Sequence, residues 1–129
     1  MLKWYTMQMF PGKFSLTTCP KDLAIHCKKA RILVPDYTDT YGFALQVGGN
    51  GLVFINPNPV KDVEGDALDT IIHESVHIWQ ALCEYMQEEK AGDEVEAYGI
   101  AFIASTLIKE YQRQISSKEQ AQKDLLCPS

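Results

Sequence analysis

The sequence predicts an α+β domain, and three observations carry that prediction. Apolar residues recur at helical spacing in three separate stretches, the last two long and adjacent. Two runs rich in β-branched and aromatic residues flank the glycine-rich segment Gly48-Gly49-Asn50-Gly51. The strand-forming residues are confined to the N-terminal half, so the strands make a small sheet rather than alternating with the long helices.

Taken in order, Lys13 to Thr18 reads as a short strand. Pro20 then suits a first helical position, and Leu23, Ala24, Cys27 and Ala30 make one stripe on a helix over 20–31. His26 lies off that stripe and is expected at the surface, and Lys28, Lys29 and Arg31 read as a solvated helix end. Val34-Pro35-Asp36 ends the helix, because proline disfavours helical backbone at the residue before it. Tyr41 to Val47 and Leu52 to Ile55 form an antiparallel hairpin, with glycine available for a positive φ at its turn. Asn56-Pro57-Asn58-Pro59 stops the second strand.

A long helix is expected from about Asp62 to Gln87. Its core stripe is Leu68, Ile71, Ile72, Ser75, Val76, Trp79, Leu82, Cys83 and Met86. His73, His77, Gln80 and Glu84 fall on the other side, which is therefore free to line a cleft. After Lys90-Ala91-Gly92, Asp93 is a candidate N-cap for a helix running to about Gln114. Ala97, Ile100, Ala101, Ala104, Leu107, Ile108 and Tyr111 are its expected buried side. Residues from about 115 to 129, rich in Lys, Gln, Ser and Glu, read as a frayed or disordered tail.

Composition sets the outer bounds. A chain of 129 residues is expected to form one domain, burying about two-thirds of its unfolded surface. The net charge of −5 argues against nucleic acid as a partner, since phosphate binding needs a basic patch. The N-terminal residues do not read as a signal peptide, and no stretch approaches the roughly 20 apolar residues of a membrane span. The cysteines at 19, 27, 83 and 127 lack a C-x-x-C spacing. They are expected to be reduced thiols of a cytoplasmic protein, with Cys83 in the core.

The chemistry centres on His73-Glu74-Ser75-Val76-His77. Four helical steps rotate the chain by about 400° and raise it about 6 Å, so the two imidazoles stack and can share one metal ion. Glu74 projects about 100° aside, toward a metal-bound water. A catalytic zinc site takes three protein ligands and keeps one position open. A metzincin continuation is excluded, because Gln80 and Cys83 stand where glycine and histidine are required. His26 is remote in sequence, which leaves a carboxylate from the following helix: Glu94 or Glu96. Helical phase does not choose between them, since they flank opposite edges of one apolar arc.

His73-Glu74-Ser75-Val76-His77-Ile78-Trp79-Gln80 followed by Glu94-Val95-Glu96-Ala97-Tyr98 resembles the gluzincin clan of zinc metallopeptidases. It looks most like small metallopeptidases of phages and prophages, which carry H-E-x-x-H-V/I-W-Q and then E-x-E-A-Y. The resemblance covers residues 67 to about 108. It implies a minimal zincin-like domain: an N-terminal helix, a small antiparallel sheet or hairpin, an active-site helix, and an antiparallel helix carrying the glutamate ligand. It further implies Zn2+ held by His73, His77 and Glu94, with Glu96 the alternative third ligand. Glu74 is the implied general base toward a zinc-activated water. Tyr98, standing where larger relatives carry Asp or Asn, is implied to support the site or to donate to the developing oxyanion. The implied substrate is a peptide or protein, which in this clan pairs with an edge strand; the strand at 52–56 or its hairpin partner is the candidate. The alternative is a non-proteolytic zinc-binding phage or prophage protein acting as a regulator or assembly factor. An intact Glu74 favours the enzyme, because a purely structural site has no use for a general base.

Overall fold

The computed structural model describes the backbone of residues 1–7, 10–59, 66–87 and 92–126, and side chains as far as residue 118. Among the described residues the chain forms β1 (Tyr5–Thr6), β2 (Lys13–Thr17), α1 (Pro20–Ala30), β3 (Gly42–Val47), β4 (Asn50–Ile55), α2 (Ala67–Tyr85) and α3 (Asp93–Leu126). The class is α+β, as the sequence predicts. No described helix is long and apolar enough to cross a membrane.

The sheet differs from the expected antiparallel one. Its order is β1-β2-β4-β3, and β2 pairs with β4 in parallel, while β1 with β2 and β3 with β4 are antiparallel. The parallel pair follows from the hairpin: α1 leads into β3, which runs opposite to β2, and the tight turn then brings β4 back between them, parallel to β2. The hairpin forms as expected, but its turn is tighter: Val47 pairs with Asn50, leaving only Gly48 and Gly49 outside the ladder. Gly48 takes a φ of +57°, a conformation that glycine adopts without strain.

β4 is buried on both faces, which explains its unbroken apolar run. Leu52 and Phe54 pack with Leu23 and Cys27 of α1. Val53 and Ile55 point the other way, joining Phe14 and Leu16 of β2 with Ile71, Ile78 and Trp79 of α2 and Ile103 and Leu107 of α3. The molecule is thus a sheet with α1 on one side and α2 and α3 on the other. Gly51 lets α2 come close to the sheet, since a Cβ there would stand 3.2 Å from Ile78 Cγ1.

α2 is capped by Asp66, whose side chain accepts a hydrogen bond of 2.8 Å from the Asp69 amide. The expected start at Asp62 lies outside the described residues. Ile71, Ser75, Ile78, Trp79 and Leu82 are its buried face, and Cys83 packs at the edge of that core. Ser75 is accommodated by donating to the Ile71 carbonyl at 2.7 Å. Leu68 and Ile72, expected inside, are 44% and 50% exposed.

α3 is rotated from the expected phase. Its most buried residues are Gly99, Ile103, Leu107 and Glu110; Ile100, Ile108 and Tyr111 pack against the same core, as expected of them and of Leu107, whereas Ala97 and Ala101 are exposed. Two contacts impose the rotation. Gly99 lies against the Trp79 indole, where a Cβ would come within 2.3 Å of the ring. One turn beyond Leu107, the buried Glu110 carboxylate accepts from Tyr5 Oη at 2.7 Å, from Arg113 Nη2 at 2.6 Å and from Gln114 Nε2 at 2.6 Å. Gln114 Nε2 also donates to the Leu16 carbonyl at 2.8 Å, and its Oε1 accepts from the Thr18 amide at 2.9 Å. Gln114 thereby fastens α3 to the end of β2. The helix continues to Leu126, through much of the stretch expected to be a tail; residues 127–129 lie outside the described residues.

Burial pushes the Glu110 carboxyl up, but the hydrogen bonds from Arg113, Gln114 and Tyr5 outweigh it and hold the carboxyl below its usual range. Burial, together with the bond to Glu110, raises the Tyr5 phenol to about 12.

Candidate metal centre

His73, Glu74 and His77 sit in the middle of α2, on the side that Ile71, Ser75 and Ile78 leave free. The Nε2 atoms of His73 and His77 are 3.1 Å apart, with the rings nearly perpendicular at 70° and their centroids 4.8 Å apart. Two nitrogens bound at zinc distances in a tetrahedral site stand about 3.3 Å from each other. The separation of the pair is close to that value.

The Glu74 carboxylate lies beside the pair, with Oε1 4.0 Å from His73 Nε2. Its side chain is only 14% exposed, against 68% for His73, so the carboxylate is sheltered while the imidazole faces solvent. That is a suitable setting for a base that must act on a small molecule held at the histidines. On the other flank, His77 Nδ1 contacts Gln80 Oε1 at 3.2 Å.

The candidates on α3 are placed differently. Trp79 meets Gly99, and Ala67 shares a small pocket with Tyr111 and Ile115, so α3 runs antiparallel to α2. On this register the α3 residue level with the centre of the motif is the apolar Ile103. Glu96 and Glu94 stand level with positions about 8 and 10 Å beyond His77 along the axis. They also approach the side of α2 that carries Trp79, which leaves the helix about 200° around from His77. Glu94 is exposed, and Glu96, in phase with Ile103, is half-buried. Tyr98 is 73% exposed and lines an apolar groove with Met7, Phe10, Val95 and Phe102. Among the described residues no set of three His, Cys, Asp or Glu side chains is gathered around one point. The structure thus brings together His73, Glu74 and His77, and leaves Glu94, Glu96 and Tyr98 apart from them.

His26 is not a surface residue as expected. It is half-buried against Trp4, at 5.7 Å between ring centroids, and its Nε2 is covered without a hydrogen-bond partner among the described residues. Burial, with Lys29 nearby, lowers its pKa. It belongs to α1, across the sheet from α2, and so is no ligand for the pair.

The strand positions also select between the two candidates for substrate pairing. β4 is flanked by β2 and β3, so both its edges are used. β3 is the terminal strand beside α2, and among the described residues its outer edge pairs with no other strand. Gln80 and the β3 edge have a local sequence signal, since Gln80 is three residues from His77 on one helical face. The anchoring pair Glu110 and Gln114 has none, because their partners are about a hundred residues away in the chain.

Comparison with protein-family models, with curated proteins and with solved structures finds no match to this chain.

Proposed function

We propose that this protein is a zinc-dependent metallopeptidase of the gluzincin type. The observation that carries the reading is the 3.1 Å separation of the His73 and His77 Nε2 atoms with the sheltered Glu74 carboxylate beside them. A purely structural pair of surface histidines has no need of a covered carboxylate at that position.

His73 and His77 would hold the metal through Nε2, and a carboxylate from the first turn of α3 would supply the third donor, Glu94 by the family resemblance and Glu96 as the alternative. For either to do so, the first turn of α3 must shift toward the histidine face. Zinc bound there would supply a Lewis acid for a peptide carbonyl and would acidify a water. Glu74 takes the proton of the attacking water and passes it to the leaving amine. Tyr98, once carried along with that turn, is a donor for the developing oxyanion. The free edge of β3 pairs with an extended peptide and sets it alongside α2. A cytoplasmic location accords with the free thiols of Cys19 and Cys27.

The test combines metal analysis with activity. Wild type and Glu74→Gln are expected to bind one zinc each, with hydrolysis of a peptide library lost in the variant by at least about a hundredfold. His73→Ala is expected to lose both. A wild type that takes up no zinc from a metal-buffered solution removes the reading altogether. Zinc binding with a biological effect that persists in Glu74→Gln replaces peptidase activity with a regulatory or assembly role.

A further inference from the structure

His77 makes two contacts, one through each ring nitrogen. Nδ1 lies 3.2 Å from Gln80 Oε1, and Nε2 lies 3.1 Å from His73 Nε2. With the Gln80 amide turned so that its Oε1 faces the ring, that oxygen can only accept, and the arrangement assigns the hydrogen of His77 to Nδ1. A neutral imidazole with its hydrogen on Nδ1 presents a lone pair at Nε2. The contact between the two Nε2 atoms then takes its hydrogen from the other ring, so His73 bears its own on Nε2.

We propose that Gln80 is a positioning residue of the metal site, holding His77 in the Nδ1–H tautomer and so making the two histidines unequal ligands. The proposal rests on the metal-binding part of the function given above. His77 is ready to donate from Nε2 without any change. His73 must first move its hydrogen from Nε2 to Nδ1 through solvent, breaking one N–H bond and forming another while the ring stays neutral. Metal-ligating histidines commonly donate their second N–H to an acceptor that fixes the tautomer. Here that acceptor comes from the same helix, three residues on, where side chains share a face. It is therefore in place whatever the first turn of α3 does. A glutamine orients the ring without adding a charge to a site that already has Glu74.

Long-range 1H–15N correlation spectra of the metal-free full chain test this, recorded about two pH units above the ordinary imidazole value. Signals are assigned by their loss in His73→Ala and His77→Ala. The expected result is hydrogen on Nδ1 in His77 and on Nε2 in His73. Gln80→Leu, a change at an exposed position, is expected to release His77 to the Nε2–H form and to weaken zinc binding roughly tenfold. Gln80→Glu is expected to restore both. A wild-type His77 with its hydrogen on Nε2, or a Gln80→Leu variant with unchanged tautomer and affinity, overturns the proposal. A wild type with the expected tautomers that binds no zinc overturns it as well, together with the function on which it rests. A tautomer independent of Gln80 in a protein that does bind zinc overturns this proposal alone.

Discussion

The middle and the start of α3 are held in opposite ways. Around Glu110 the helix is locked: a carboxylate with a fully covered side chain is bonded to a strand, to its own helix and, through Gln114, to the end of β2. Around Glu94 the helix carries acidic and apolar side chains that face solvent, and its main hold is a glycine pressed on Trp79. Both segments contain glutamates, yet one is committed to architecture and the other is uncommitted. A buried carboxylate whose partners are all present is costly to leave half-satisfied, so the surrounding structure forms around it. An exposed carboxylate at a helix start gains little from the fold and is free to take a ligand.

The largest expected effect comes from breaking the locked middle of the helix. Glu110→Ala strands the Tyr5 hydroxyl and one N–H of Gln114, whose amide keeps its bonds to Leu16 and Thr18, and is expected to cost about 3 kcal/mol in denaturant unfolding. The pH dependence sharpens the point. The depressed Glu110 carboxyl contributes stability that is present above the unfolded carboxylate value of about 4.3, and that is lost as pH falls through its lower folded value. Tyr5, raised to about 12, contributes stability that is fully present below the unfolded phenol value and lost as pH climbs toward 12. Glu110→Ala is expected to flatten the acid flank; an unchanged acid flank would mean that other carboxylates govern it.

Gly99→Ala comes next. A methyl placed 2.3 Å from the Trp79 ring cannot be absorbed by the far end of a flexible side chain, because the indole is itself packed in the core. The expected cost is about 2 kcal/mol, set against the gain of roughly 1 kcal/mol that alanine brings to a helix interior. A stabilised variant would show that α3 is not seated on Trp79, and would reopen the register on which Glu94 and Glu96 are placed.

What was legible in the sequence was whatever depends on neighbours in the chain. The His73–His77 stack, the Gly48 turn and the Pro20 helix start are all fixed within five residues, and all appear. The parallel pairing of β2 with β4 was not legible, because it depends on how α1 packs rather than on either strand's own residues. The face of α3 was read only in part, with Ile100, Leu107, Ile108 and Tyr111 placed rightly and the centre of the face missed, for a similar reason. Gly99 and Glu110 carry no apolar signal, so a hydrophobic pattern passes over the two residues that fix its rotation. The proposed third ligand depends on the rotation and register of one helix against another, which is the same level at which the sequence is silent.

The smallest expected change in stability, and the sharpest test of the comparison, lies at the uncommitted end. Glu94→Ala and Glu96→Ala should each shift unfolding by no more than about 0.5–1 kcal/mol, the worth of an acidic residue in a first helical turn. Zinc should separate them. A metal that binds only the folded state raises stability by about 2.7 kcal/mol at a hundred times its dissociation constant. Wild type and Glu96→Ala are expected to show that rise in thermal unfolding, and Glu94→Ala to lose it. The reverse outcome transfers the ligand to Glu96, the residue in phase with Ile103. Equal gains in both variants would mean that zinc rests on the α2 histidines without α3, and that the first turn of α3 stays uncommitted with metal present.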